Sequence, residues 1–515
     1  MNVQISQIER QTLEKHFQSN NFDKVEKNLH SLFTRGYKNV WLYSLLAVSY
    51  AKQKKFKEAE VTFLKIIELE PNDFDHYFNL ANLYKETKAY NKCIHTLKTA
   101  LKIRPNELKA IVFLGLALFG INNFKDALDC ANSILQKHPQ SYEALNLKAM
   151  SLLKTGKFEE AIKVFYEIIE ISERKKEFLS DIAVCYIHLG DLENATKLIN
   201  VNKNENNSKY NKSIIDLTLG NYQKGWEGFE YGLKNNSRKM RKGYENFLYL
   251  PDYDPALHSK TILLIGEQGI GDEIMYSTII ETLYTKVEKI YLLCDHRLID
   301  LFKEKYSFLK FINYEYSKEI INIECKLAIG SLPKYFRNTE INFFNKNQSP
   351  NDQKSILRKS NSPKIIGLSW HTENSQFGPE RNISLNSFAS IIENKNLNFV
   401  NLQYGNHENA IKNLEDKIGR KVFLNDNIDN KNDIYGLAQK IKKCDAVLTI
   451  DNSTVHLSGF LNKTTFLMLP FVADWRWQLH RNDTPWYSSV KLFRQDKKND
   501  WYSVIIKIKK IIENL

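Results

Sequence analysis

Apolar positions recur along the first half of the chain with a spacing that points to paired helices. Prolines at 71, 105 and 139 stand 34 apart, and the residues before each keep step. Counting back from Pro105 gives Tyr77, Leu80, Ala81 and Tyr84, then Cys93, Leu97 and Ala100; the same offsets from Pro71 give Tyr43, Leu46, Ala47 and Tyr50, then Ala59, Phe63 and Ile66. From Pro139 they give Ile111, Leu114, Gly115 and Leu118, then Ala127, Ala131 and Ile134. Two further units follow, around Leu145 to Ile168 and Leu179 to Ile199, while Leu13 to Leu32 fits loosely and Leu219 to Leu233 reads as a closing helix. Small residues let two helices approach where they cross, and larger neighbours fill the groove, so such units bury their apolar faces only by stacking. The pattern predicts a helical solenoid that presents a concave face to a macromolecule.

The period stops after Leu233. A basic stretch, NNSRKMRKGYEN at 235–246, and a proline-bearing connector, PDYDPALHSK at 251–260, lead to a new domain expected near Lys260. Short apolar runs then alternate with helix-length segments: TILLIG from 261, KIYLLCD from 289, KLAIGSLP from 326 and, past a polar gap at 345–361, PKIIGLSW from 363, LNFVNLQYG from 397, KVFLND from 421, DAVLTID from 445 and TTFLMLP from 464. This alternation predicts parallel strands with crossover helices, in two Rossmann-like lobes divided by the gap. Ligands of such sheets bind beyond the carboxyl ends of the strands.

Four segments in those places carry candidate chemistry. GEQGIGDEI, with Glu267, Gln268, Gly269, Gly271 and Asp272, follows the first strand. Its glycine spacing matches neither a dinucleotide fingerprint nor a P-loop, and it is either a tight turn or a ligand loop. In DNSTVHLSGFLNK, Asn452 or Ser453 can cap a helix whose first N–H groups favour an anion, with Ser453 and Thr454 adding hydroxyls; a plain N-cap is the alternative. Trp370, His371 and Arg381 lie in the loop after PKIIGLSW, where Arg381 offers a planar fork for phosphate. In LPFVADWRWQLHRNDTPWY, Trp475, Trp477, Trp486 and Tyr487 stand beside Asp474, Arg476 and Arg481, as either a core plug or the floor of a sugar or base site.

Composition narrows the classes. A length of 515 residues implies two or three domains, and 73 Lys+Arg against 60 Asp+Glu is too small an excess for a nucleic-acid binder. Six scattered cysteines without a C-x-x-C pair suggest neither a zinc cage nor a disulfide framework. Met1 to Arg10 carries charged and amide residues where a secretory leader would be apolar, and no run approaches the ~20 apolar residues needed to span a bilayer. A soluble, cytoplasmic protein without integral membrane association is expected.

The repeat positions resemble the tetratricopeptide (TPR) pattern. Together with GEQGIGDEI, the Trp370–Arg381 loop, DNSTVHLSGFLNK, LPFVADWRW and TPWY, they resemble TPR-containing bacterial glycosyltransferases. The catalytic half of those proteins is similar to ADP-heptose:lipopolysaccharide heptosyltransferases (glycosyltransferase family 9-like), with a more distant likeness to O-linked N-acetylglucosamine transferase. The resemblance implies an α-solenoid at 1–235, then an α/β GT-B glycosyltransferase with an acceptor-side lobe at 236–345 and a nucleotide-sugar-binding lobe at 346–515. It implies inverting transfer from a nucleotide-sugar donor without cofactor or metal, and no D-x-D metal motif stands in a suitable loop. Carried over, Asp272 is the general base with Glu267 in reserve. Arg381, Ser453, Thr454, His456, Gln403, Trp370 and His371 hold the donor, with His456 toward ribose and Gln403 toward the base. Gln268, Gly269, Gly271, Asp474 and Arg476 line the acceptor side of the cleft. HTENSQ at 371–376 is less glycine-rich than the family pattern, and Thr464 replaces its proline. The expected acceptor is a protein or peptide in the TPR groove, such as a flagellin or another surface protein. Transfer to a glycan or lipopolysaccharide is one alternative. A non-catalytic scaffold with a decayed transferase half is another, against which the intact Gly271–Asp272 and Ser453–Thr454 pairs speak.

Overall fold

The computed structural model describes residues 5–172, 175–256, 261–312, 322–343, 363–373, 379–424 and 428–513. Its contacts divide into two compact units, Met1–Lys175 and Lys176–Leu515.

The first unit is built from antiparallel helix pairs. First helices begin at Val40, Phe74, Leu108 and Tyr142, and second helices at Phe22, Phe56, Tyr90, Phe124 and Phe158, so the 34-residue step of the prolines is also the step of the helices. Two residues before each second helix the backbone enters the left-handed region, at Asn20, Lys54, Lys88, Asn122 and Gly156. A reversal this tight needs one residue with positive φ, which glycine adopts freely and lysine does not. The small residues do what their spacing implies: Ala47, Ala59, Ala81, Cys93, Ala100, Ala127 and Ala131 are fully buried between helices. The loosely matching Leu13–Leu32 segment is a full pair, Gln7–Gln18 and Phe22–Thr34, with Leu13, Val25, Leu29 and Leu32 in the core.

Helices continue to Tyr231–Lys234, as the period suggests, but contacts do not divide at the expected 235. Leu217, Tyr222, Trp226 and Phe229, from the last helices before the sheets, lie in one core with the sheets that follow. Trp226 explains much of this: its Nε1–H donates to the Arg337 carbonyl at 2.9 Å, and its ring meets Trp475 and Trp486 edge-on.

Two parallel sheets form the rest of the second unit. The first contains β1 (Thr261–Ile265), β2 (Lys289–Leu293), β3 (Lys310–Phe311) and β4 (Cys325–Ala328) in the order β3-β2-β1-β4. The second contains β5 (Lys364–Ser369), β6 (Leu397–Asn401), β7 (Phe423–Leu424), β8 (Ala446–Ile450), β9 (Thr465–Leu469) and β10 (Val490–Arg494) in the order β10-β9-β8-β5-β6-β7. All pairings are parallel. Strands β8 and β9 are buried along their whole length, the condition that makes central parallel strands continuously apolar. Both orders are those of a doubly wound sheet, whose chain direction reverses beside the first strand: between β1 and β4 in one sheet, between β5 and β8 in the other. One apolar core runs between the sheets, from Ile262 and Leu264 through Met275 to Val455 and Leu467.

The expected domain start at Lys260, the 345–346 lobe boundary and residues 374–376 of HTENSQ lie outside the described residues. No described helix is long and apolar enough to cross a membrane.

Candidate functional site

The chain after β1 turns sharply. The Gly266 amide donates to the Leu293 carbonyl at 2.7 Å, Gln268 takes a positive φ of 59°, and the helix Ile270–Ser277 begins. Asp272 sits in its first turn and accepts a hydrogen bond from the Gly269 amide at 3.2 Å. After β8, the Asn452 side chain accepts from the Thr454 amide at 2.9 Å and donates to Ser369 Oγ at the end of β5, also at 2.9 Å. Asn452 is therefore the cap, and Ser453 opens the helix Ser453–Phe460.

These two helix starts touch. A Cβ added to Gly271 would lie 2.9 Å from His456 Cδ2 and 3.6 Å from Ser453 Cα, so the position requires glycine by close approach. No gap for a diphosphate exists between them at that point. The accessible side of the junction is formed by the partly exposed Gln268, Asp272, His371, Arg381 and Ser453 and the exposed Gly269.

Charged side chains from both sheets converge here. Arg476, in the turn after β9, pairs with Asp272 and with Asp474, the latter at 2.6 Å. Burial opposes the charge of Arg476, but the two carboxylates outweigh it and hold its pKa well above the ordinary value. Burial likewise opposes ionisation of Asp474, and Arg476 and then Arg381 prevail, holding its pKa below the ordinary value. Arg381 Nη1 lies 3.1 Å from Asp451 Oδ2 and donates to the Asp451 carbonyl at 3.3 Å. Three aspartates and two arginines thus share one corner, each arginine holding a carboxylate.

Several expected site residues have other duties. Glu267 is buried and receives both Nε and Nη2 of Arg238, at 2.8 and 2.7 Å; with both oxygens held, it is a structural ion pair and not a reserve base. Gln403 spends its whole amide on the chain after β5. Its Oε1 accepts from Ser369 Oγ and the amides of Trp370 and His371, and its Nε2 donates to the carbonyls of His371 and Tyr404, leaving nothing for a nucleobase. The Trp370 side chain lies in the core of the second sheet against Phe423. Thr454 is buried, its hydroxyl 3.5 Å from Ser369 Oγ. His456 is buried against Trp477, with Nδ1 3.0 Å from the Tyr487 hydroxyl, instead of facing a ribose. Burial and then Arg476 push its pKa down to about 4. Trp475, Trp477, Trp486 and Tyr487 are buried, so the core-plug alternative holds for that cluster. His371 stays partly exposed; burial, and then neighbouring His407, lower its pKa.

A second network was not anticipated. Buried Glu273 pairs with Arg241 and accepts the Asp295 amide at 2.9 Å, while Arg297 grips Asp295 with Nε and Nη2, both at 2.9 Å. Burial pushes Glu273 up to about 7 against the pull of Arg241; Asp295, despite burial, is drawn down to about 2 by Arg297. Arg238 and Arg241 come from the basic stretch at 235–246, where nothing in the sequence distinguishes them from their neighbours.

Comparison with known proteins supports the repeats. The family model for the Psidin N-terminal TPR repeats region matches residues 117–216, and that for anaphase-promoting complex, cyclosome, subunit 3 matches residues 52–134. Protein FlbA of Caulobacter vibrioides is 24% identical over 317 residues, covering 57% of this chain and 52% of that protein. The chain thus spans about half the length of the curated relative it matches. A TPR protein from Parabacteroides merdae is similar to 44% of this chain over 91% of its own, at 19% identity and a TM-score of 0.38. YrrB, described as a TPR protein with an unusual peptide-binding site, is similar to 36% of this chain over 97% of its own, at 17% identity and a TM-score of 0.32. The N-terminal half of the chain carries TPR repeats.

Proposed function

We propose that the chain is a GT-B glycosyltransferase that moves a sugar from a nucleotide-sugar donor to a protein acceptor recruited by its TPR array, with inversion and without a metal. The observation that supports this most is the meeting of Asp272, Arg381, Ser453 and Arg476 where β1, β5 and β8 end, the place at which doubly wound sheets bind nucleotides.

In this reading the acceptor hydroxyl oxygen bonds to the anomeric carbon as the bond from that carbon to the diphosphate breaks on the opposite face. The hydroxyl proton passes to Asp272. The departing charge is received by Arg381, displaced from Asp451, together with the hydroxyl and backbone amide of Ser453 at its helix start. Arg476 orients Asp272 and must loosen its hold as the proton arrives, because a paired carboxylate is a weak base. Incubating the protein with nucleotide sugars and candidate surface proteins, then weighing the acceptors intact, tests the proposal: a gain of one sugar mass is expected, and neither transfer nor donor hydrolysis with any sugar contradicts it.

One observation favours a second reading, a non-catalytic TPR scaffold: Asp272 is already engaged by Arg476 and by the Gly269 amide. That reading requires that no nucleoside diphosphate binds.

A further inference from the structure

Beyond the C-terminal end of the Ser453–Phe460 helix lies a cavity of about 120 Å³, lined by side chains from both sheets' halves of the second unit. Its surface is mostly polar, with aromatic groups contributed by Tyr306, Phe343, Phe460, Trp486 and Tyr487. Two cations line it as well, Arg337 and Lys305. Arg337 is 5% exposed, yet among the described residues no carboxylate pairs with it. Its guanidinium has five donors; among the described residues one of them, on Nη1, donates to the carbonyl of the preceding residue, Phe336, at 3.0 Å, and the group lies 5.7 Å from the centre of the Phe343 ring. Lys305 donates to the Phe460 carbonyl at 3.3 Å and lies 4.0 Å from the centre of the Phe460 ring, also without a paired carboxylate among the described residues. Glu281, the only carboxylate on the lining, is exposed and within ion-pair distance of neither cation.

Several charges elsewhere in this unit are paired, Arg238 with Glu267, Glu273 with Arg241, Arg476 with Asp272 and Asp474, whereas Arg494 donates to the carbonyls of Trp477 and Gln478. Lys305 is exposed, but Arg337 is buried, and among the described residues no carboxylate offsets the cost of desolvating its charge. Burial lowers the pKa of both, Arg337 to about 10, and for Lys305 it outweighs the opposing pull of Glu281.

We infer that the cavity is a binding site for a phosphate-class oxyanion, held by buried Arg337 and exposed Lys305. A guanidinium and an ammonium converging on one small space suit a tetrahedral oxyanion, the first by its fork and the second as a point charge. The anion is either free phosphate or the phosphate group of a small ester. The site is separate from the Asp272–Arg381 corner and does not depend on the reading given to that corner.

Thermal unfolding of the full chain tests it, with inorganic phosphate, glucose 1-phosphate and sodium chloride titrated at matched ionic strength. Phosphate should raise Tm saturably and chloride should not; a larger shift with glucose 1-phosphate assigns the site to an ester, an equal shift to the bare anion. In Arg337→Met and, separately, in Lys305→Met the apparent affinity for phosphate should fall by about tenfold or more, the loss of one charge-assisted hydrogen bond. In Arg381→Ala the phosphate effect should persist, which separates this cavity from the donor corner. Equal stabilisation by phosphate and chloride, or an undiminished phosphate effect in either folded methionine variant, would overturn the assignment.

Discussion

The carboxylate of Asp272 and the guanidinium of Arg476, 204 positions apart in the chain, form an ion pair. The pair ties the helix start after β1 to the turn after β9, and so joins the two sheets at the corner where their strand ends meet. In the proposed reading Asp272 has two roles that experiment can separate, a link between sheets and a proton acceptor.

Replacing Asp272 with Asn keeps the size and one acceptor oxygen but removes the charge. Transfer should fall by about 10²–10⁴-fold while donor affinity stays within about twofold. Stability should drop by about 1–3 kcal/mol, because Arg476 loses one of two carboxylates. Acceptor mass and calorimetry read the first pair of quantities and urea unfolding the third. A loss of stability without loss of rate per folded molecule would leave only the linking role.

His456 makes stability depend on pH. Its folded pKa of about 4 lies below the ordinary 6.5, so the unfolded chain binds the proton more tightly. The contribution is fully present above pH 6.5 and is lost as pH falls through 4, and its ceiling is about 3 kcal/mol. Urea unfolding between pH 7 and 4 should show this fall, and His456→Gln should flatten that part of the profile. Identical profiles for the two proteins would contradict the burial of a neutral imidazole.

Gly271→Ala tests the close approach of the two helix starts. The His456 ring cannot retreat from the new methyl, because Trp477 stacks on it and Tyr487 bonds its Nδ1. A loss of about 1–3 kcal/mol is expected from overpacking, together with weaker donor binding. Gly269→Ala is the control: its added Cβ would meet nothing nearer than Asp272 Oδ2 at 3.6 Å, and its φ of −104° suits any residue. Equal effects of the two substitutions would argue against the contact.

Repeats and strands were legible in the sequence where burial on all sides left a continuous or periodic apolar signal. The eight strands expected from apolar runs are present, and the two not expected show why. Strand β3 is only Lys310–Phe311, and β10, VKLFR, is an edge strand with lysine and arginine among its apolar residues. The loops that gather at the site were also visible, because glycines, a cap and charged residues followed strands. Individual duties were not. Whether Glu267 faces a cleft or Arg238, and whether Gln403 faces a base or the backbone of its own sheet, depends on partners far along the chain, and Arg238 stands in a basic run like any linker residue.

The solenoid offers a prediction free of function. Lys54 and Lys88 occupy left-handed turns at φ 60° and 57°, where the equivalent in the fifth helix pair is Gly156 at 78°. Lys54→Gly and Lys88→Gly should each stabilise the chain by about 1 kcal/mol, and Gly156→Lys should cost a similar amount, as thermal unfolding would show. Opposite signs would mean that the turn's lysines contribute contacts outweighing their strain.

The account rests on a nucleotide-sugar diphosphate docking at the Ser453 helix start beside Arg381, and calorimetric titration of UDP-, GDP-, ADP- and CMP-sugars into the full chain and its Arg381→Ala variant measures this most directly. One nucleotide sugar should bind the parent protein and bind Arg381→Ala at least about tenfold more weakly, the weight of a charge-assisted contact to phosphate. Binding of none of them, or equal affinity in the two proteins, would contradict it.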